Sequence, residues 1–127
     1  MKPEVNITDS ELEVLKELWL VPSLTARQLT DRLLERTCWS EPTIKTLLLR
    51  LLQKNAVQRT REGEGKVFTY RALISGEEYR YLAGRSLLDR LFNGIAGEFL
   101  TCLVQNEKMS PEEIESLKKL LDRAAEK

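Results

Sequence analysis

A chain of 127 residues that is 42% apolar and 31% charged has the composition of one globular domain, or of a small domain with an appendage, and excludes collagen-like and disordered classes. Twenty Lys and Arg balance twenty Asp and Glu, with no histidine and two cysteines, so imidazole triads, zinc hydrolase sites, facial-triad iron sites and disulfide frameworks are excluded. No apolar run approaches the roughly 20 residues of a bilayer span, and Glu4 and Asp9 stand where a secretory signal would be apolar, so a cytoplasmic protein with no membrane insertion is expected.

Between Ile7 and Leu20, Leu12, Leu15, Leu18 and Trp19 recur at helical spacing with Glu11, Glu13, Lys16 and Glu17 between them, which predicts an amphipathic helix. Thr8 followed by Glu11 predicts a capping box at its start. Pro22-Ser23 breaks the chain, and Thr25 with Gln28 opens a second helix with Leu29, Leu33 and Leu34 on its apolar side. Ser40 suits an N-cap and Pro42 a first helical turn. From Thr43 to Lys54, Ile44, Leu47, Leu48, Leu51 and Leu52 then fall at i, i+3, i+4, i+7 and i+8, a third helix of about three turns.

The period then changes to two. Val57 to Arg61 alternates, Glu62-Gly63-Glu64-Gly65 makes a turn, and Lys66 to Arg71 alternates again, which predicts a β-hairpin. After Ser75-Gly76 the helical period returns with Tyr79, Leu82, Leu87, Leu88, Leu91, Phe92, Ile95, Phe99 and Leu103, interrupted or bent at Asn93-Gly94 and Gly97. Ser110-Pro111-Glu112-Glu113 starts a last helix whose apolar stripe is Ile114, Leu117, Leu120 and Leu121.

This order predicts a mainly α fold with a small β-hairpin wing: a winged helix-turn-helix domain over residues 1–75, and a helical dimerisation tail over 76–127. Leu82, Leu87, Leu91, Phe92, Ile95, Phe99, Leu103, Ile114, Leu117 and Leu121 are too many apolar side chains for so small a tail to bury alone, which predicts a homodimer.

The net charge of zero is an average. Residues 43–71 carry Lys45, Arg50, Lys54, Arg59, Arg61, Lys66 and Arg71 against Glu62 and Glu64, a local +5, and a polyanion responds to the field within a Debye length of about 8 Å. Thr43, Thr46 and Arg50 lie opposite the leucine side of the third helix with Lys45 alongside. Threonine can hydrogen-bond a base edge or pack its methyl on thymine, and arginine can fork onto guanine. Ser40, Thr43, Lys45, Thr46, Arg50, Lys54, Arg59, Arg61 and Lys66 are therefore the candidate DNA-binding residues. The alternative is a winged-helix adaptor for proteins whose basic residues only solvate the helix and hairpin. No catalytic constellation, cofactor motif or metal site is found.

Ile7-Thr8-Asp9-Ser10-Glu11-Leu12-Glu13-Val14, Cys38-Trp39-Ser40 with Thr43 through Leu51, Lys66-Val67-Phe68-Thr69-Tyr70, and Gly84 through Gly94 together resemble the penicillinase-repressor family, the BlaI/MecI/CopY group of bacterial transcription repressors. The resemblance covers almost the whole chain. It implies a homodimer that binds a pseudo-palindromic double-stranded operator and represses genes until a signal removes it, with Thr43, Thr46 and Arg50 on the recognition helix and Lys45 on phosphate. Glu41-Pro42 replaces the family's usual proline and basic residue after Trp-Ser, which implies the loss of one phosphate contact at the helix entrance.

In the β-lactam-responsive members a sensor peptidase system leads to cleavage of an Asn-Phe bond, where this chain has Cys102-Leu103. In the copper-responsive members a Cys-x-Cys pair near the C-terminus binds metal, and this chain has no such pair. Cys38 is expected to be buried and inert beside Trp39. Cys102 is open to three readings, as core, interface or thiol sensor, the last disfavoured by the lack of a neighbouring cation.

Overall fold

The structure, a computed structural model, describes residues 6–61, 65 and 67–126. Its elements are α1 (Asp9–Leu20), β1 (Leu24–Thr25), α2 (Ala26–Leu34), α3 (Glu41–Gln53), β2 (Val57–Arg61), β3 (Phe68–Ala72), α4 (Gly76–Leu91), α5 (Ala96–Asn106) and α6 (Pro111–Ala125). The chain divides into two compact units, Met1–Ala83 and Gly84–Lys127. The predicted turn at Glu62-Gly63-Glu64 and the side chain of Lys66 lie outside the described residues.

Local chemistry starts each helix of the first unit. Thr8 and Thr25 both make full capping boxes, with Glu11 and Gln28 reaching back to the cap N–H, and Ser40 Oγ accepts from Thr43 N (3.4 Å). α3 ends in a left-handed residue, Asn55 (φ 61°), whose N–H donates to Leu52 O while Ala56 N–H donates to Leu51 O. This Schellman arrangement satisfies the last carbonyls and turns the chain directly into β2.

The sheet has three antiparallel strands in the order β1-β3-β2, with Arg61 opposite Phe68 and Leu24 opposite Tyr70. The sequence predicts only the hairpin. β1 has two residues, too short for an alternating pattern to register, and its second residue, Thr25, also caps α2. A continuous core joins Val14, Leu15 and Leu18 of α1, Leu29 and Leu33 of α2, Ile44, Leu47, Leu48 and Leu51 of α3, and Val57 and Tyr70 of the sheet.

Two residues placed on the polar side of α1 by the sequence are buried instead: Glu11 is 1% and Glu17 4% exposed. Glu11 Oε1 receives Lys54 Nζ at 2.6 Å, tying the start of α1 to the end of α3. Glu17 receives Arg32 Nε at 2.7 Å and Arg36 Nε at 2.8 Å, tying α1 to α2 and the turn that follows it. A buried carboxylate is tolerated only when paired in this way.

Cys38 is exposed, contrary to expectation. Thr37 Oγ1 donates to Leu33 O and accepts from Trp39 N, and Trp39 packs on the core. The residue between Thr37 and Trp39 is left facing away.

Ser75-Gly76, predicted as the domain boundary, is the start of α4. The first two turns of α4 belong to the first unit: Trp19 Nε1 donates to Ile74 O (2.9 Å), its ring lies 5.9 Å from that of Tyr79, and a Cβ on Gly76 would come within 3.3 Å of it.

In the second unit α4 stops where Asn93 (φ 51°) and Gly94 (φ 79°) turn left-handed, and Phe92 then packs on Phe99 at 5.3 Å. Gly97, expected to interrupt the helix, sits inside the first turn of α5. Ser110 and Glu113 form a capping box for α6. Among the described residues no helix is long and apolar enough to cross a membrane.

Burial alone raises the pKa of Glu11 and Glu17, but hydrogen bonds from Lys54 and Thr8 in one case, and from Arg32 and Arg36 in the other, outweigh it and leave both below the ordinary 4.5. The unfolded chain then binds more protons than the folded one as the pH drops. The contribution of these groups is complete above about pH 4.5 and is lost as the pH falls through their folded values. The thermal midpoint is expected to fall between pH 7 and pH 3, and Glu17→Ala to cost about 1–3 kcal/mol at pH 7 and less as the pH drops through the folded value. Equal losses at both pH values would contradict this pairing.

Candidate nucleic-acid interface

α3 buries Ile44, Leu47, Leu48 and Leu51 and exposes Thr43, Lys45, Thr46, Leu49, Arg50 and Gln53. Its geometry follows from the 3.6-residue period: one flank fills the core, and the other is fixed in direction by that filling. Thr46 Oγ1 donates to Pro42 O (3.0 Å), and Ser40 Oγ and Thr43 Oγ1 share a hydrogen bond (3.1 Å). The threonine hydroxyls are thus held locally, and the methyl of Thr46 is left for an outside contact.

The strands add cations beside this face. Arg59 and Arg61 on β2 both place their guanidinium groups over the ring of Phe68, at 4.6 and 4.8 Å from its centroid. One aromatic ring, supplied across the strand pair, gathers both charges on one side of the hairpin. Lys45, Leu49 and Leu52 of α3, Arg59 of β2 and Tyr70 of β3 line a single depression of about 290 Å³. The helix and the hairpin therefore present a continuous basic surface with an apolar floor.

Eight of the nine candidate DNA-binding residues are described, and seven of them lie on this surface: Ser40, Thr43, Lys45, Thr46 and Arg50 on or at the start of α3, and Arg59 and Arg61 on β2. Lys54 leaves the set, because its ammonium is held by Glu11 Oε1 (2.6 Å) and Asn6 O (2.7 Å) within the fold. Lys45 is exposed but paired with Glu41, one helical turn back, at 3.1 Å. Among the described residues Arg50, Arg59 and Arg61 enter no ion pair with an acid. Leu49, which the sequence pattern merges into the leucine run, is exposed, as its i+3 spacing from Thr46 on the outer face requires.

The second unit is different in kind. No residue of α5 or α6 is buried, and Leu91, Ile95, Leu103, Ile114 and Leu121 are exposed, with Leu87, Phe92, Phe99 and Leu117 half-buried; Leu82, also half-buried, falls in the first unit. Leu100, Val104, Met109, Ile114, Leu117 and Leu121 line an apolar groove of about 380 Å³ between α5 and α6. Cys102 and Leu103 lie within the hydrogen-bonded body of α5, and Cys102 is exposed. Among the described residues no cluster of three His, Cys, Asp or Glu is placed to hold a metal ion.

A helix-turn-helix followed by a basic two-stranded hairpin defines a winged-helix unit of the nucleic-acid-binding class. The penicillinase repressor profile matches residues 7–123. The chain is 34% identical over 122 residues to the penicillinase repressor of Bacillus licheniformis, covering 96% of this chain and 94% of that protein. The solution structure of the DNA-binding domain of the repressor BlaI superposes with a TM-score of 0.54 at 38% identity, covering 62% of this chain and 94% of that one. The Bacillus licheniformis BlaI monomeric form in complex with the blaP half-operator gives 0.52 at 38% identity, covering 58% and 88%. The chain belongs to the penicillinase repressor family, a family of transcriptional repressors and not of enzymes.

Glu41 places a carboxylate at the entrance of α3 and draws Lys45 toward it. Glu41→Gln is expected to tighten binding to duplex DNA of any sequence by about two- to fivefold, the size of one exposed charge interaction. Fluorescence anisotropy at fixed salt measures it; unchanged or weaker binding would remove Glu41 from the interface.

Proposed function

We propose that this chain is a dimeric, sequence-specific transcriptional repressor that inserts α3 into the major groove of a pseudo-palindromic operator and sets the hairpin arginines on the flanking phosphates. The observation that carries this reading is the outer face of α3, where Thr43, Thr46 and Arg50 stand exposed while Ile44, Leu47, Leu48 and Leu51 are locked in the core. Short hydroxyl side chains let the helix approach base edges, and an arginine one turn on can fork onto guanine O6 and N7. Arg59 and Arg61 suit backbone phosphates, which fix register and carry no sequence information. Lys66 belongs to the same proposal through its place in the hairpin sequence.

The dimer reading rests on the second unit. Its apolar side chains are exposed or half-buried over α4, α5 and α6, and a run of exposed apolar side chains of this kind marks an interaction surface. A two-fold partner covers it with the same residues from a second chain, and it sets two copies of α3 on successive major-groove faces about 34–36 Å apart, or a multiple of that spacing. The family resemblance also suggests an upstream sensor peptidase system. Here the aligned Cys102-Leu103 peptide is inside α5 and lacks the Asn-Phe pair, so derepression by cleavage at that bond is not part of the proposal.

Arg50→Ala is expected to cost about 1–3 kcal/mol on the operator and far less on random duplex, while Arg59→Ala weakens both alike and lowers the salt slope by about one. Equal losses on both DNAs for Arg50→Ala would contradict its role in reading bases. In sedimentation, the wild-type chain is expected as a dimer at micromolar concentration, and the paired change Leu103→Asp with Leu121→Asp as a folded monomer. A monomeric wild type would overturn the dimer.

A further inference from the structure

We infer that Leu49 is a specificity-determining residue that reads the C5 methyl of a thymine in the major groove; this rests on the placement of α3 in that groove proposed above. Leu49 is 54% exposed in the middle of a helix whose other leucines are buried or half-buried. Pro42, Thr46, Leu49 and Gln53, at i, i+4, i+7 and i+11, form the central stripe of the outer face, with Lys45 and Leu52 on one edge and Thr43 and Arg50 on the other. Thr46 and Leu49 are therefore neighbours on the line that penetrates deepest, about 4.5 Å apart along the axis.

The surroundings select the partner. An isolated surface leucine needs no explanation, but this one stands beside Lys45 and Arg59 on the wall of one depression, with Arg50 next in sequence. An apolar protein surface that covered Leu49 would also have to strip water from these cations. A DNA duplex satisfies both demands together, since phosphates meet the cations and the thymine methyl is the one apolar group that B-DNA base pairs present in the major groove. Thr46 strengthens the match: its hydroxyl is turned back onto Pro42 O at 3.0 Å, so Thr46 and Leu49 together offer methyl groups, and the donors of the stripe begin only at Gln53, one turn further on.

The test uses the full-length chain and the tightest duplex that it enriches from a random pool, with each thymine replaced in turn by deoxyuridine, which deletes the methyl and nothing else. Wild type is expected to lose about fourfold in affinity at one thymine per half-site, the value of one buried methyl. Leu49→Ala, at an exposed position and with its melting temperature confirmed unchanged, is expected to bind thymine and deoxyuridine equally there while keeping its sensitivity elsewhere. Thr46→Ser removes the neighbouring methyl and should leave the Leu49 position intact.

A thymine profile unchanged in Leu49→Ala, or one abolished by Thr46→Ser alone, overturns the inference while α3 stays in the groove. Failure to enrich any duplex, or wild-type binding by Thr43→Ala and Arg50→Ala, overturns the groove placement itself and the inference with it.

Discussion

Ile44, Leu47, Leu48 and Leu51 are buried against α1, α2 and the sheet, and this apolar clamp on one side of α3 decides where every side chain on its other side points. Burying four such side chains contributes on the order of 6–12 kcal/mol before entropy is counted, a large share of what a small domain has in total. The helix therefore cannot roll to hide Thr43, Thr46, Leu49 or Arg50 without opening the core. Both ends of α3 are fixed as well. Ser40 caps its start, and at its end Asn55 turns the chain within a single residue into β2, which brings Arg59 beside Lys45.

A chain with no net charge can still present a polyanion with a cationic face, because its charges are sorted and not diluted. Glu11 and Glu17 of α1 are turned inward onto Lys54, Arg32 and Arg36. They hold helices together at the back of the first unit and take those cations out of the outer field. Arg50, Arg59 and Arg61 remain outward, the last two gathered over one phenylalanine ring. The same separation divides the two units: the first is built around a core, whereas α5 and α6 of the second bury no residue and leave Leu103, Leu120 and Leu121 exposed.

The parts legible in the sequence are those encoded over three or four residues. Thr8 with Glu11, Thr25 with Gln28 and Ser110 with Glu113 form the capping boxes that the spacing predicts, and the leucine period of α3 gives its buried face. What escaped depends on distant partners. Glu11 looks like a solvated acid until Lys54, 43 residues away, is beside it, and Lys54 looks like a DNA contact for the same reason. Glu17 meets Arg32 and Arg36 across 15 and 19 residues. β1 is too short to carry a period, and Leu49 is hidden in a leucine run, although its spacing from Thr46 already sets it on the outer face.

The proposed dimer sets two copies of α3 on base edges in the major groove of one operator. Dimethyl sulfate footprinting of the enriched duplex reads that contact, because the reagent methylates guanine N7 in that groove. Two clusters of protected guanines are predicted, related by a dyad and centred a whole number of helical turns apart. Guanines that stay fully reactive under a bound protein, or a single protected cluster at saturation, would contradict it.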